Sequence, residues 1–174
     1  MREWTDWHTE KLFKPRQKSE NIHLCIFPFS RFFVDVERLV NDPMEAIGQG
    51  IIYSRFGEAR RQLPDEEVSR RMEIYHRYLD SFKPLIVDNA IIVDCHSFPE
   101  RLAPDVDFCI GFNDDESKPD DKMINDVTHL IRKYGYRVAV NYPFSNSITP
   151  VRPMTYKSIM IEVNKRTYME ETTL

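Results

Sequence analysis

The sequence predicts an α/β domain, a mixed sheet flanked by helices, and three observations carry that expectation. Apolar runs of strand length alternate along the chain with stretches whose apolar residues recur at helical spacing. The length of 174 residues suits one domain, expected to span residues 1–174. Hydrophobic residues make up 41% of the chain against 30% charged, enough apolar material to build a core.

Taken in order, the first helix is expected over residues 5–13, with Trp4, Trp7 and Leu12 available for packing. Strands are expected at residues 22–27 and 32–36. Val68, Met72, Tyr75, Leu79 and Phe82 then fall on one helical face. Pro84, which removes a helical hydrogen bond, ends or kinks that helix. Ala90-Ile91-Ile92-Val93 is apolar without alternation, so residues 90–95 read as a central strand covered on both faces. Further strands are expected at residues 108–112, 137–141 and 158–163. Between the first two of these, Ser117-Lys118-Pro119-Asp120 opens a second long helix. Met123, Val127, Leu130, Ile131 and Tyr134 form its inner face, and Gly135 stops it by taking left-handed backbone.

Composition narrows the function. Twenty-four Lys and Arg against 28 Asp and Glu give a net charge of −4, which argues against a nucleic-acid partner. No apolar run approaches the ~20 residues needed to cross a bilayer. The opening Met1-Arg2-Glu3-Trp4-Thr5-Asp6 lacks the apolar stretch of a secretory signal, so a soluble cytoplasmic protein is expected. Cys25, Cys95 and Cys109 show no CxxC spacing and fit neither a disulfide framework nor a thiolate zinc cluster.

Three motifs can carry chemistry. Asp94-Cys95-His96-Ser97 follows an apolar run, which puts His96 near a strand's carboxyl end, where open α/β sheets bind ligands. An imidazole there ligates a metal, moves a proton, or is merely hydrogen-bonded. Asp94 would orient the ring through its other nitrogen, or cap the following turn. Glu162 interrupts the apolar run 158–163, where an unpaired carboxylate is costly to bury. It is a general base, a partner for a cation, or a glutamate on an exposed face. Arg31 and Arg38 flank an expected strand and suit carboxylate recognition or oxyanion stabilisation, unless Asp35 and Glu37 simply pair with them. The polar, proline-bracketed stretch 141–150 has the character of a site loop.

Together these stretches resemble the N-formylglutamate amidohydrolase family. The resemblance runs in order through Thr5-Asp6-Trp7-His8-Thr9-Glu10-Lys11-Leu12-Phe13, Ser30-Arg31 to Glu37-Arg38, Asp94-Cys95-His96-Ser97-Phe98, and Pro104-Asp105 to Gly111. It continues through Asn141-Tyr142-Pro143-Phe144-Ser145 and Ile161-Glu162-Val163-Asn164-Lys165-Arg166-Thr167-Tyr168-Met169. It implies a zinc-carboxypeptidase-like (phosphorylase/hydrolase-like) α/β fold. It also implies metal-assisted release of formate from an N-formylated acidic amino acid. In those terms His96 is a metal ligand, Asp6 a second one, and Glu162 the general base. Arg31 polarises the substrate carbonyl and Arg38 binds a substrate carboxylate. Asn141 and Ser145 of the 141–150 loop are expected to be substrate-binding, since its Asn and Ser side chains supply neutral hydrogen-bonding groups. Zinc is the implied cofactor, and a small acidic N-acyl amino acid the implied partner.

The family begins with a strand carrying a His-Ser or His-Thr motif, whereas this sequence starts just before the Thr-Asp-Trp segment. The expectation is therefore a zinc site one ligand short of the usual three, with poor zinc binding and slow or no hydrolysis. His8 and His23 stand in the wrong contexts to replace the missing ligand. The alternative function is an inactive or truncated relative that binds small carboxylates. A partner chain or a second copy would then cover the sheet edge left open.

Overall fold

The computed structural model describes residues 2–170. In chain order these form helix α1 (Thr9–Leu12), a minimal hairpin of β1 (Arg55–Phe56) and β2 (Ala59–Arg60), and the long helix α2 (Asp65–Phe82). Strands β3 (Ile91–Phe98) and β4 (Phe108–Gly111), helix α3 (Asp121–Lys133), and strands β5 (Val138–Val140) and β6 (Lys157–Asn164) follow. The chain divides into two compact units, one formed by the residues up to Ile22 and from Ile86 onward, the other by His23–Leu85.

The first unit is built on a four-stranded mixed sheet of order β3-β6-β4-β5. β6 runs parallel to β3 and antiparallel to β4, and β4 runs parallel to β5. Six of the seven residues from Ser158 to Asn164 are buried, as a strand with neighbours on both sides requires. Phe98, Ala103, Val106, Cys109 and Met160 form the core of this unit, and each large apolar side chain buried there contributes about 1.5–3 kcal/mol. Gly111 permits the close approach of β4 to its neighbours. A Cβ there would lie 2.3 Å from Cε of Met160 and 2.9 Å from the Asn146 carbonyl oxygen. α3 begins where the Asp120 carboxylate accepts a hydrogen bond from the Met123 N–H at 2.6 Å.

Three expectations change here. β3 is an edge strand among the described residues, not the central one, and Ile91 and Val93 are 51% and 48% exposed. An unbroken apolar run signals strand propensity, but strand order depends on which edges find partners, and that role falls to β6. On α3 the buried residues are Ile124 and Thr128, whereas Leu130 and Tyr134 face solvent. The contact face is therefore rotated from the apolar stripe. The expected first helix is also shorter, because His8 adopts left-handed backbone (φ 64°) and α1 starts only at Thr9.

In the second unit, Tyr75 and Leu79 of α2 pack with Val34 and Ile51, flanked by Met72, Phe82, Phe27 and Phe33. The Arg71 guanidinium lies 4.3 Å from the Phe33 ring centroid and donates to the Phe33 carbonyl. The strands expected at residues 22–27 and 32–36 do not form. Residues 23–28 are irregular and make no ladder, with Leu24 and Ile26 exposed. At 32–36 local polar chemistry overrides the β propensity of Phe32-Phe33-Val34. The Ser30 hydroxyl accepts from the Phe32 N–H, the Ser30 carbonyl accepts from Phe33, and the Asp35 carboxylate accepts from Glu37.

Candidate functional site

The site in the first unit follows from the period of β3. The Ala90 carbonyl accepts from the Lys157 N–H, so the backbone of even-numbered positions faces β6 and that of odd-numbered ones faces away. Side chains alternate between the two faces, which puts Asp94 and His96 together on one of them. Register pairs His96 with Glu162 on β6, and Glu162 in turn with Cys109 on β4. Glu162 therefore stands beside His96 on that face, and it is 8% exposed.

Each ring nitrogen of His96 meets a carboxylate. Nε2 lies 2.7 Å from Oδ1 of Asp94, and Nδ1 lies 3.4 Å from Oδ2 of Asp6, which is 90 residues away in sequence. Asp94 is fixed from its other side, where its Oδ2 accepts from the Ile148 N–H at 3.1 Å. Burial opposes ionisation of Asp94, but the His96 imidazole and the Ile148 N–H outweigh it and hold the carboxyl below its ordinary range. Asp6 is fixed by Ser97, whose N–H and hydroxyl donate to Oδ1 at 2.6 and 3.0 Å. The Ser97 N–H is one of those pointing off the sheet edge, so Asp6 also caps that edge.

These residues fit a divalent metal. With Asp94 taking the Nε2 proton, the Nδ1 lone pair is directed toward Asp6. A tetrahedral zinc with bonds of ~2.0–2.1 Å separates neighbouring donors by ~3.3–3.4 Å, and Nδ1 of His96 and Oδ2 of Asp6 lie 3.4 Å apart. An imidazole and a carboxylate are also the ligand types such an ion takes.

The loop 141–150 reaches this site through its backbone. Ile148 holds Asp94, and the Ser158 hydroxyl holds Ile148 by donating to its carbonyl oxygen at 2.7 Å. Ser147 and Ser158 hydroxyls meet at 2.7 Å. Asn141 instead serves the β4 end, accepting from the Phe112 N–H and donating its own N–H to Ile110. Ser145 is exposed. The Ile148 contact has no sequence signal, since any residue but proline supplies an N–H.

Arg31 and Arg38 belong to the second unit and flank a turn. Their Nε atoms lie 3.6 and 3.7 Å from the same Asp35 carboxylate, which is 1% exposed and accepts from the Tyr53 hydroxyl at 2.7 Å. Arg31 pairs also with Glu37. The charge pairing weighed from sequence is thus present. His8, His23, His76 and His129 are all exposed.

The fold and this site define a class: an α/β protein with an imidazole and carboxylates gathered on one face of a mixed sheet. The N-formylglutamate amidohydrolase family model matches residues 1–169, and the chain belongs to that family. The family is metal-dependent and acts on N-formyl amino acids. Among solved structures, the gene product Atu2144 from Agrobacterium tumefaciens is similar in fold, with a TM-score of 0.57 and 17% identity. The match covers 79% of this chain and 57% of that one, so this chain spans little more than half of the matched protein's length. No curated protein matches the sequence. Among the described residues no helix is long and apolar enough to cross a membrane.

Proposed function

We propose that the chain hydrolyses the formyl amide of an N-formylated acidic amino acid with a divalent metal, zinc by the family resemblance. The observation that carries this reading is the 3.4 Å approach of Nδ1 of His96 to Oδ2 of Asp6, with Asp94 on the opposite ring nitrogen. In this reading His96 and Asp6 hold the ion, and Asp94 fixes the tautomer that turns the Nδ1 lone pair toward it. When bound, the metal polarises the formyl carbonyl and acidifies water. Glu162, next to His96 on the same face, takes the proton from the attacking water and passes it to the leaving amine. By the same resemblance Arg31 stabilises the developing oxyanion, Arg38 binds the substrate carboxylate, and Asn141 and Ser145 supply neutral hydrogen-bonding groups. Cytoplasmic localisation completes the reading.

The test is metal analysis of the purified chain together with N-formylglutamate turnover before and after chelation. Bound metal that His96→Ala removes, and turnover that chelation abolishes and zinc restores, support the proposal. A metal-free chain that gains neither metal nor activity on adding zinc overturns it and favours a carboxylate-binding relative.

A further inference from the structure

Asp6 lies on an irregular segment, between a 3₁₀ turn ending at Trp4 and the left-handed residue His8. Its carboxylate is held by Ser97, and its carbonyl accepts from the Thr9 hydroxyl at 3.1 Å. Two further attachments, to the backbone on either side of it, come from the far end of the chain. At the end of β6 the fully buried Asn164 turns the backbone: its side-chain amide donates to the Val106 carbonyl at 2.8 Å, and its side-chain oxygen accepts from Arg166. The short turn that follows presents Lys165 and Tyr168. The ammonium of Lys165, 0% exposed, donates to the Glu3 carbonyl oxygen. The Tyr168 hydroxyl donates to the Trp7 carbonyl oxygen at 2.9 Å. The two attachments therefore bracket Asp6, three residues before it and one after.

We propose that Lys165 and Tyr168 are positioning residues for the Asp6 carboxylate, clamping the backbone on either side of it so that the ligand is held against His96. This rests on the reading of Asp6 and His96 as metal ligands and names what makes their geometry persist. A buried ammonium is costly to desolvate, and donating to the Glu3 carbonyl oxygen offsets part of that cost. The attachment from Arg101 to Glu3 is different. Its side chains are 55% and 40% exposed, and water competes with it.

The experiment measures zinc affinity of the whole chain by competition with a chromophoric chelator, and the visible absorption of the cobalt-loaded protein, which reports ligand geometry. Tyr168→Phe and Lys165→Met are expected to weaken zinc binding about tenfold or more, the range typical of lost outer-shell support. Both are expected to alter the cobalt spectrum while the circular dichroism stays folded. Arg101→Ala should change neither. If Lys165→Met fails to fold, Tyr168→Phe, which removes one hydroxyl, decides alone. Wild-type zinc affinity and cobalt spectrum in Tyr168→Phe overturn the proposal. If His96→Ala lowers zinc affinity but Tyr168→Phe does not, only the clamp falls. Should His96→Ala leave affinity unchanged, the metal reading falls and takes the clamp with it.

Discussion

Nε2 of His96 lies 2.7 Å from Oδ1 of Asp94, two residues earlier on the same face of the edge strand. The spacing i, i+2 on a strand puts the carboxylate beside the ring, and the Ile148 N–H fixes its second oxygen. Replacing Asp94 with Asn keeps the shape and removes the charge. Metal affinity should then fall roughly 10- to 100-fold, with the fold retained. Chelator competition against the wild type checks this, and an unchanged affinity would make Asp94 a structural residue only.

Glu162 separates binding from chemistry. It is paired in register with His96 across β3 and β6. Glu162→Gln preserves volume and removes the base. Turnover should drop roughly 10²- to 10⁴-fold while bound metal is retained. Parallel loss of metal and activity would instead make Glu162 a ligand.

How much of this the sequence revealed follows from which forces are local. α2 was legible, because Val68 to Phe82 repeat with the helix and nothing tertiary competes. The strands at 91–98, 108–111, 138–140 and 157–164 were legible in kind, though not in order, because order depends on pairing between distant segments. The strand expected at 32–36 failed where Ser30 and Asp35 satisfied the backbone locally. In the site, His96 and Asp94 follow from a short motif. Their meeting with Asp6 had its cue only in the family resemblance. The contribution of Ile148 had none, since it is a backbone N–H, and Ser97 and Lys165 stood in the matched stretches with no role of their own, because their partners are set by tertiary contacts.

Asp107 should contribute to the acid sensitivity of the first unit. Its carboxylate accepts from the Arg137 backbone N–H at 2.7 Å and from the Arg137 side chain, and it pairs with Arg166. Burial works to raise its pKa, but the Arg137 hydrogen bonds and the Arg166 charge outweigh that and lower it. A carboxyl lowered on folding stabilises fully above its unfolded pKa of ~3.9, and that contribution is lost as pH falls through the folded value. Asp107→Asn should cost about 1.5–3 kcal/mol at pH 7, the range for a hydrogen bond to a charged group. The difference in melting temperature between the two proteins should shrink as pH drops below ~4, and a gap constant down to pH 2 would contradict the assignment.

The second unit makes the opposite prediction at alkaline pH. The Tyr53 hydroxyl donates to Asp35 at 2.7 Å, and its ring is edge-on to Phe32. Burial first, then the charge of Asp35, pushes the phenol up to about 12. Because the raised value means the folded chain holds the proton more tightly, the stabilisation is intact below pH ~10 and is lost as pH rises toward 12. Tyr53→Phe removes both effects. At pH 7 it should cost about 0.5–1.5 kcal/mol, rising toward the charged-partner range because Asp35 is left without that donor. Between pH 10 and 12 the wild type should lose stability faster than the variant. Ultraviolet titration should also show one tyrosinate fewer in Tyr53→Phe, and the missing transition should be the late one. A transition lost near pH 10 instead would show that Asp35 and its arginines do not hold Tyr53 as the structure has it.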